Sequence, residues 1–391
     1  MKHLWKTVPP CMSDVLGFEA ALNNTEGLGI IDDCGRYKPI GLGRSGGPGR
    51  GGYNGHGGRG WHGGRGDGIR VVNSEIRNAD VITGTERKVL DAFAEGAALH
   101  HPNFVLLCHA PSSSMIGSDL EAGAARIAAE SGLPAAYVRL DGSRDYLYGV
   151  SMTLEAMGKL LLKRADTCPG AVNLLGCDPI GWAKDCLPSI EAWLGENGLR
   201  VLSRWGGKEA TETLRAAAGA ERNLVVSAAG LRLARFMEAE YGIPYTVSAP
   251  FGKARCSRLL QNAPPAEAGT AAVTEPSVLI VGEFLTADAI RSALEERGYA
   301  GIRCLTFFDA DKSLLRPGDE KLPGEDALRA QLAQPSVKLV FCDPDCKPLL
   351  RREGVTWVNL TNAASHAVAE YVPPVDFVGE KLDVWLNEVL K

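Results

Sequence analysis

The feature that most constrains this chain is a repeated alternation of short apolar runs with segments of helical periodicity. Five of these runs are Phe104–Leu107, Val172–Gly176, Asn223–Ser227, Val278–Gly282 and Lys338–Cys342. Helices are expected after them, for example over Asp119–Ser131 and Leu231–Tyr241, where Gly132 and Gly242 act as stops. Parallel strands need such crossovers and are covered on both faces, so the predicted fold class is α/β.

The same pattern predicts three doubly wound (Rossmann-like) parallel-sheet domains, over residues 1–165, 166–263 and 277–391. The stretch Asn262–Pro276 is rich in Ala, Pro and Glu and is predicted to be a linker. Within the first domain, Gly41–Gly68 is about half glycine with interspersed Arg, His and aromatic residues. We expect a flexible active-site or surface loop there. An RGG-like contact to nucleic acid or a phosphate-bearing partner and a metal-binding His tract are the alternatives.

Composition is that of an ordinary globular protein, with 45% hydrophobic residues, 23% charged residues and a net charge of -5. This charge does not favour nucleic acid or an anionic membrane as a partner. No apolar run is long enough to span a bilayer, and Met1–Pro10 lacks the apolar core of a signal peptide. We therefore expect a cytoplasmic protein whose ten cysteines are reduced. Four of them are predicted to be small buried hydrophobes: Cys177, Cys186, Cys256 and Cys304.

Polar residues follow the strand predicted at Phe104–Leu107. Ligands in doubly wound folds bind at the carboxyl ends of strands, so this corner is predicted to face a crevice. Hydroxyls and a helix N-terminus there suit an anion such as a phosphate or a propionate. The candidate cofactor-binding residues are His109, Ser112, Ser113 and Ser114. Simple capping of the helix that begins near Asp119 is the alternative interpretation.

Two nucleotide-binding motifs are missing from the sequence. No G-x-x-x-x-G-K-[ST] motif is present, and no G-x-G-x-x-G opens a strand–turn–helix unit. The sequence therefore predicts neither ATP hydrolysis by this chain nor a bound dinucleotide.

Several fragments, in a shared order, resemble the nitrogenase component 1-type oxidoreductase superfamily. In the first domain they are Cys11 with Leu16-Gly-Phe-Glu19, Ser74 to Gly84 as a strand, and Ile116-Gly117. In the second they are Val172-Asn-Leu-Leu-Gly176, Glu196-Asn-Gly-Leu-Arg-Val201 and Asn223-Leu-Val-Val-Ser227. Ser227 falls where nitrogenase has the cysteine that anchors its iron–molybdenum cofactor.

The resemblance implies an iron–sulfur cluster, of the 4Fe–4S type, at a subunit interface. The second and third cysteines expected from the family fall near Ile30 and on Pro111, whereas this chain has Cys34 and Cys108 close by. The implied metal ligands are Cys11, Cys34 and Cys108. Two interpretations are open: a cluster held by a shifted ligand set, or a buried strand residue at Cys108 and a surface thiol at Cys34.

Two further candidates are weaker matches to metal chemistry. Cys342 and Cys346 are separated by three residues, and a turn set by Asp343-Pro344 is the favoured interpretation. His366 lies in a region where nitrogenase has a cofactor-binding histidine, and a packed or solvated histidine is favoured.

The implied function is an oxidoreductase subunit that accepts electrons from an ATP-dependent, nitrogenase reductase-like iron protein. The implied partner is a second copy or a homologous subunit. The alternative is a non-catalytic scaffold or partner subunit for metallocofactor assembly. Membrane association is not expected, and nucleic-acid binding is disfavoured.

Overall fold

A computed structural model describes residues 5–8, 10–23, 25–35, 70–178, 180–183, 185–261, 275–362, 364 and 374–391. The Gly/Arg-rich segment Gly41–Gly68, most of the predicted linker Asn262–Pro276, and His366 lie outside the described residues. In the described part of the chain, no helix is both long enough and apolar enough to cross a bilayer.

The first sheet contains four parallel strands in the order β2-β1-β3-β4. Its strands are β1 (Gly27–Asp32), β2 (Val71–Asn73), β3 (Phe104–His109) and β4 (Ala135–Tyr137). The helices of this part are α1 (Asp14–Leu22), α2 (Asn78–Thr83), α3 (Glu86–His100), α4 (Pro111–Ile116), α5 (Leu120–Ser131) and α6 (Tyr146–Leu161). Every residue of β1 and β3 is buried, as expected for central strands covered on both faces.

The second sheet also has four parallel strands, in the order β6-β5-β7-β8. They are β5 (Cys168–Leu175), β6 (Arg200–Trp205), β7 (Ala220–Val225) and β8 (Tyr245–Val247). Its helices are α7 (Cys186–Glu196), α8 (Thr211–Ala216), α9 (Leu231–Tyr241) and α10 (Gly252–Leu260). A 3-10 turn, Ala228–Gly230, leads directly into α9.

The third sheet has five parallel strands in the order β11-β10-β9-β12-β13. They are β9 (Val278–Val281), β10 (Ile302–Thr306), β11 (Glu320–Lys321), β12 (Leu339–Cys342) and β13 (Thr356–Asn359). The helices are α11 (Phe284–Glu296), α12 (Glu325–Leu332) and α13 (Lys381–Val389), with 3-10 turns at Lys312–Leu314 and Pro344–Leu349. The α/β class with three Rossmann-like parallel sheets is confirmed, while the predicted domain limits stay predictions.

One element differs from the sequence-based prediction. The stretch from Ser74 to Gly84 was expected to be a strand, and this is wrong. Strand β2 ends at Asn73, and Asn78–Thr83 forms helix α2. The backbone N–H of Arg77 donates to the Asp80 carboxylate at 2.7 Å, which fixes the first turn of that helix.

Helices α1 and α6 pack so closely that glycine is required at their contact. All nine residues of α1 are buried. A Cβ on Gly149 of α6 would lie 2.0 Å from the Asp14 carbonyl oxygen, and a Cβ on Gly17 would lie 2.2 Å from the Tyr146 carbonyl oxygen. Because these neighbours are backbone atoms, neither helix can accommodate a methyl group without moving.

We expect Gly149→Ala to lower the free energy of unfolding by about 1–3 kcal/mol, because overpacking outweighs the gain in helix propensity. The matched control is Gly195→Ala in α7, where an added Cβ meets no atom within 4 Å. Urea unfolding followed by circular dichroism compares the two. Equal stability of both variants would contradict this account of the α1–α6 contact.

The N-terminal segment is attached to the third domain by one carboxylate. The backbone N–H groups of Lys6, Thr7 and Val8 donate to Glu325 Oε2 at 3.0, 2.7 and 3.0 Å. The Glu325 side chain has no exposed surface. Burial alone would raise the pKa of Glu325, but the three N–H groups together lower it to about 2. The segment is therefore held by a carboxylate that is ionised at neutral pH.

We expect Glu325→Ala to speed hydrogen exchange at the amides of Lys6, Thr7 and Val8 by roughly tenfold or more, because each loses a charged acceptor. The control is Asp326→Ala, which removes an exposed carboxylate that pairs with Arg329, as Glu325 also does. Exchange measured by mass spectrometry distinguishes them. Unchanged protection in Glu325→Ala would show that other contacts hold the segment.

Candidate functional site

The first sheet reverses its strand order between β1 and β3, so the crevice of a doubly wound fold lies at their carboxyl ends. Asp32 and Asp33 stand there at the end of β1, and His109 ends β3. Asp32 is fully buried and Asp33 nearly so. This corner is where the sequence placed its candidate cofactor-binding residues.

Hydroxyl groups at this corner are directed at the two aspartates. Ser74 Oγ donates to Asp32 Oδ1 at 2.6 Å, and Ser113 Oγ donates to the Asp32 carbonyl oxygen. Ser112 Oγ donates to Asp33 Oδ1 at 2.7 Å. Burial raises the pKa of Asp32, and the hydrogen bond from Ser74 opposes that effect.

Both ring nitrogens of His109 already have partners. Nε2 lies 3.0 Å from the Ser118 carbonyl oxygen, which only accepts, so Nε2 carries the proton and donates. Nδ1 lies 3.0 Å from the Tyr137 hydroxyl. Ser114 is exposed and lies on α4, a helix of six residues. The structure thus brings Ser112 to the Asp33 carboxylate and Ser113 to the Asp32 carbonyl oxygen, and an anion at this corner would meet the carboxylates of Asp32 and Asp33.

The three candidate metal ligands lie in three different surroundings. Cys108 is fully buried in the apolar core beneath α1, and burial raises its pKa far above the ordinary thiol value. Cys34 is exposed, with its sulfur 3.8 Å from Asp33 Oδ1. Cys11 is half-buried and packs both against the first core, which contains Cys108, and against the apolar core that contains Cys342 and Cys346, and burial again raises its pKa.

These positions do not fit a cluster held by the three thiols of one chain. Among the described residues, which include all three, no group of three or more His, Cys, Asp or Glu side chains is arranged to hold a metal ion. Thiolate ligands must deprotonate and approach the metal together. The assignment of Cys11, Cys34 and Cys108 as ligands therefore stays a prediction without geometric support.

The other cysteines behave as predicted from the sequence. Cys177, Cys186, Cys256 and Cys304 are buried. Cys342 ends β12, and the Asp343 side chain accepts the Asp345 N–H at 3.0 Å, so a turn fixes this corner. These thiols are structural parts of the core.

The second sheet reverses its order between β5 and β7, and Ser227 follows β7 at that point. Its hydroxyl donates to the Gly176 carbonyl oxygen at 2.6 Å, and its side chain is fully buried. The next N–H, of Ala228, donates to Glu283 Oε1 at 3.0 Å. Glu283 comes from the end of β9 and also accepts the Thr286 N–H at 2.9 Å. The Glu283 carboxylate and the Gly176 carbonyl group therefore occupy the corner at which the family resemblance places a cofactor cysteine.

Sequence reasoning missed Glu283 as a residue of this corner. The available signal was an acidic residue directly after an apolar strand, at the start of a helix. Burial raises the pKa of Glu283, and the N–H donors of Ala228 and Thr286 oppose that effect. The partner on the second domain lies 55 residues away, which no local pattern indicates.

A cavity of about 240 Å³ opens beside this corner, where α6 of the first domain meets the second and third domains. Leu147 and Ser151 of α6 form one wall, and the start of α9 forms a second. The third domain contributes residues 309–312 after β10. Its charged lining residues are Arg232, Asp309, Asp311 and Lys312, none of which the sequence analysis singled out.

Asp14, at the start of α1, is a buried carboxyl group between α1 and α6. Its Oδ1 accepts the Val15 N–H at 2.9 Å, and its Oδ2 has no hydrogen-bond partner in the structure. Burial raises the pKa of Asp14 from 3.8 to about 6, against the N–H groups of Asp141, Val15 and Arg144. The native state therefore holds the proton of Asp14 to a higher pH than the unfolded chain does.

Because the folded pKa exceeds the unfolded value, the contribution of Asp14 to stability is complete below about pH 4 and is lost as the pH rises to about 6. We expect Asp14→Asn to remove this part of the pH dependence between pH 4.5 and 7. Denaturant unfolding across that range measures it. Asp119→Asn, at an exposed helix cap, is the control that keeps the wild-type slope. A wild-type slope in Asp14→Asn would rule out this assignment.

The arrangement of three parallel sheets covered by helices is shared with solved structures of other proteins. The solved structure of "Nitrogenase Cp1 at pH 6.5" matches the whole chain and 93% of its own length, with a TM-score of 0.69 and 12% identity. "Nitrogenase Cp1 at pH 5" matches with a TM-score of 0.65. At these identities the likeness establishes the fold.

The sequence itself gives the family. The model described as "Nitrogenase component 1 type Oxidoreductase" matches residues 54–264, more than half of the chain. The chain belongs to the nitrogenase component 1-type oxidoreductase family.

Curated relatives within this family match part of the chain. The nitrogenase iron-molybdenum cofactor biosynthesis protein NifE of Nostoc sp. (strain PCC 7120) is 30% identical over 197 residues, which are 48% of this chain and 40% of that protein. NifE of Methanosarcina barkeri is 24% identical over 46% of this chain and 41% of that protein. The nitrogenase molybdenum-iron protein alpha chain of Acidithiobacillus ferridurans is 27% identical over 48% of this chain and 40% of that protein. The matched region thus spans about two fifths of each relative.

Proposed function

We propose that this chain is a non-catalytic scaffold or partner subunit for the assembly of a metallocofactor. In this role it pairs with a homologous subunit that carries the cluster ligands. The sequence favours an oxidoreductase subunit and gives the scaffold as the alternative, whereas the positions of the thiols support the scaffold.

The observation that carries the proposal is the separation of the three thiols. Cys108 lies inside the first core, Cys34 faces solvent, and Cys11 lies where the first core meets the third domain, and no three potential ligands among the described residues are arranged to hold a metal ion. An electron relay needs its cluster ligands at one point. A subunit whose ligands do not converge acts through its contacts with other proteins and not through a cluster of its own.

The second-domain switch point gives independent support. Ser227 and Ala228 have their hydrogen-bonding groups occupied by Gly176 and Glu283. A cofactor bound there would have to displace a buried carboxylate and leave two buried donors without acceptors, which costs several kcal/mol in total. The NifE relatives are named for cofactor biosynthesis, which agrees with an assembly role.

The first test measures iron and sulfide after anaerobic reconstitution and desalting. We expect the isolated chain to retain no stoichiometric cluster, because its thiols do not converge. Cys11→Ala and Cys34→Ala should therefore match the wild type. Cys168→Ala, which alters a half-buried thiol at the start of β5, is the matched control.

A second measurement gives the proposal a positive result. Coexpression with a homologous component 1-type subunit should yield a stable complex by light scattering, with iron present only when that subunit is included. Stoichiometric iron in the isolated chain, lost in both Cys11→Ala and Cys34→Ala but kept in Cys168→Ala, would refute the scaffold role. Absence of any complex with the homologous subunit would count against it as well.

The second candidate function is the oxidoreductase subunit itself. Membership of the family and the likeness to the molybdenum-iron protein alpha chain favour it. In that case a 4Fe–4S cluster would draw ligands from this chain and a partner, and an ATP-dependent iron protein would supply electrons. Iron analysis of the coexpressed complex distinguishes the two candidates: loss of iron in Cys11→Ala or Cys34→Ala supports the oxidoreductase subunit, and iron that matches the wild-type complex supports the scaffold. Composition supports a cytoplasmic location for either function.

A further inference from the structure

The cavity between the second and third domains differs in character from the closed corner beside it. Its volume of about 240 Å³ equals that of about eight liquid water molecules at roughly 30 Å³ each. Two of its lining side chains are cationic, Arg232 at the start of α9 and Lys312 on the 3-10 turn after β10. Their net charge in the cavity depends on how the neighbouring carboxylates are paired.

The aspartates around the cavity are largely engaged by other cations. Arg235 holds Asp311 through two hydrogen bonds of 2.6 and 3.1 Å. The hydrogen bond from Arg235 keeps the pKa of Asp311 below its ordinary value. Lys321 lies 2.8 Å from Asp145 Oδ2 and 3.5 Å from Asp309 Oδ1. Both cavity aspartates are therefore already paired.

The two lining cations are left with little compensation. The carboxylate oxygen paired with Arg232 is Asp309 Oδ2, at 3.9 Å, which is too far for a hydrogen bond. Within the described ranges, Lys312 has no carboxylate oxygen within 4 Å recorded as an ion pair. Their N–H groups remain available to an acceptor inside the cavity.

An aromatic ring holds the Arg232 guanidinium at the cavity's edge. The Tyr148 ring lies 5.5 Å from the Arg232 guanidinium carbon and 4.9 Å from that of Arg144. Stacking on a ring fixes the direction of a guanidinium without using its N–H donors.

We propose that this cavity binds a small anion with a carboxylate or phosphate group, held by Arg232 and Lys312. Arg232 supplies paired N–H donors in a planar fork, and Lys312 supplies a point charge from the opposite domain. The volume is large enough for phosphate or a short dicarboxylate. Because its donors come from both domains, the anion also joins the second domain to the third.

This inference goes beyond the proposed function and does not rest on it. Anion binding here needs no cluster, no partner subunit and no electron donor. Iron analysis tests the scaffold role, and anion titration tests the cavity. Either result can fail while the other holds.

The experiment titrates the full chain at low ionic strength with inorganic phosphate and, separately, with succinate, by isothermal calorimetry. We expect at least one of them to bind, and Arg232→Gln and Lys312→Ala each to weaken it roughly tenfold or more. Binding of phosphate alone or succinate alone supports the site and identifies the ligand class. Competition between the two, where both bind, supports a single shared site.

Matched controls remove one positive charge elsewhere. Lys347→Ala changes an exposed lysine on the other 3-10 turn of the third domain, Pro344–Leu349. Arg200→Gln changes an exposed arginine at the amino end of β6, the opposite edge of the second sheet. Thermal unfolding without anion checks that each variant folds. No binding by the wild type, or equal weakening in the site and control variants, would overturn the proposal.

Discussion

The interaction on which the structure most depends is a hydrogen bond from a distant segment of the chain to a carboxylate at the start of a helix. Asp145 caps α6 through the Tyr148 N–H and accepts the Asp309 N–H at 3.0 Å. Glu283 caps α11 and accepts the Ala228 N–H. Glu325, the first residue of α12, accepts three N–H groups of the N-terminal segment. Helix starts expose unpaired N–H groups, and Asp145 and Glu283 each satisfy one of these and also an N–H group of a distant segment.

This arrangement determines which parts of the interdomain region remain open. Carboxylates occupy the switch points of the first and second sheets, where Asp32 and Glu283 take up the hydroxyl and N–H donors. A buried carboxylate that is fully hydrogen-bonded is costly to displace. The open volume therefore lies beside these corners, between α6, α9 and the segment after β10. Its lining is cationic because the nearby aspartates are paired with Arg235 and Lys321.

Local sequence predicted the regular elements well, and it failed where contacts join distant segments. Helix α9 begins and ends as expected, since its apolar periodicity runs from Leu231 to the stop at Gly242. Helix α2 was missed because none of its six residues is buried, which leaves no apolar periodicity to recognise. The contact between Glu325 and Val8 spans 317 residues, so no spacing rule could indicate it. The thiol positions depend on the same tertiary packing, and family likeness alone did not supply them.

The filled corners of the sheets and the open cavity beside them favour different charge states in the side chains that line them. A thiol such as Cys108, buried among apolar side chains, stabilises the first core without ionising, because burial raises its pKa. If Cys108 were a metal ligand, it would have to ionise to a thiolate inside that core, and the metal would have to compensate the charge. The cavity makes the opposite demand, since Arg232 and Lys312 are stabilised by an added negative charge. In the roles proposed above, this chain contributes anion binding where its second and third domains meet, and a partner subunit supplies the thiolates.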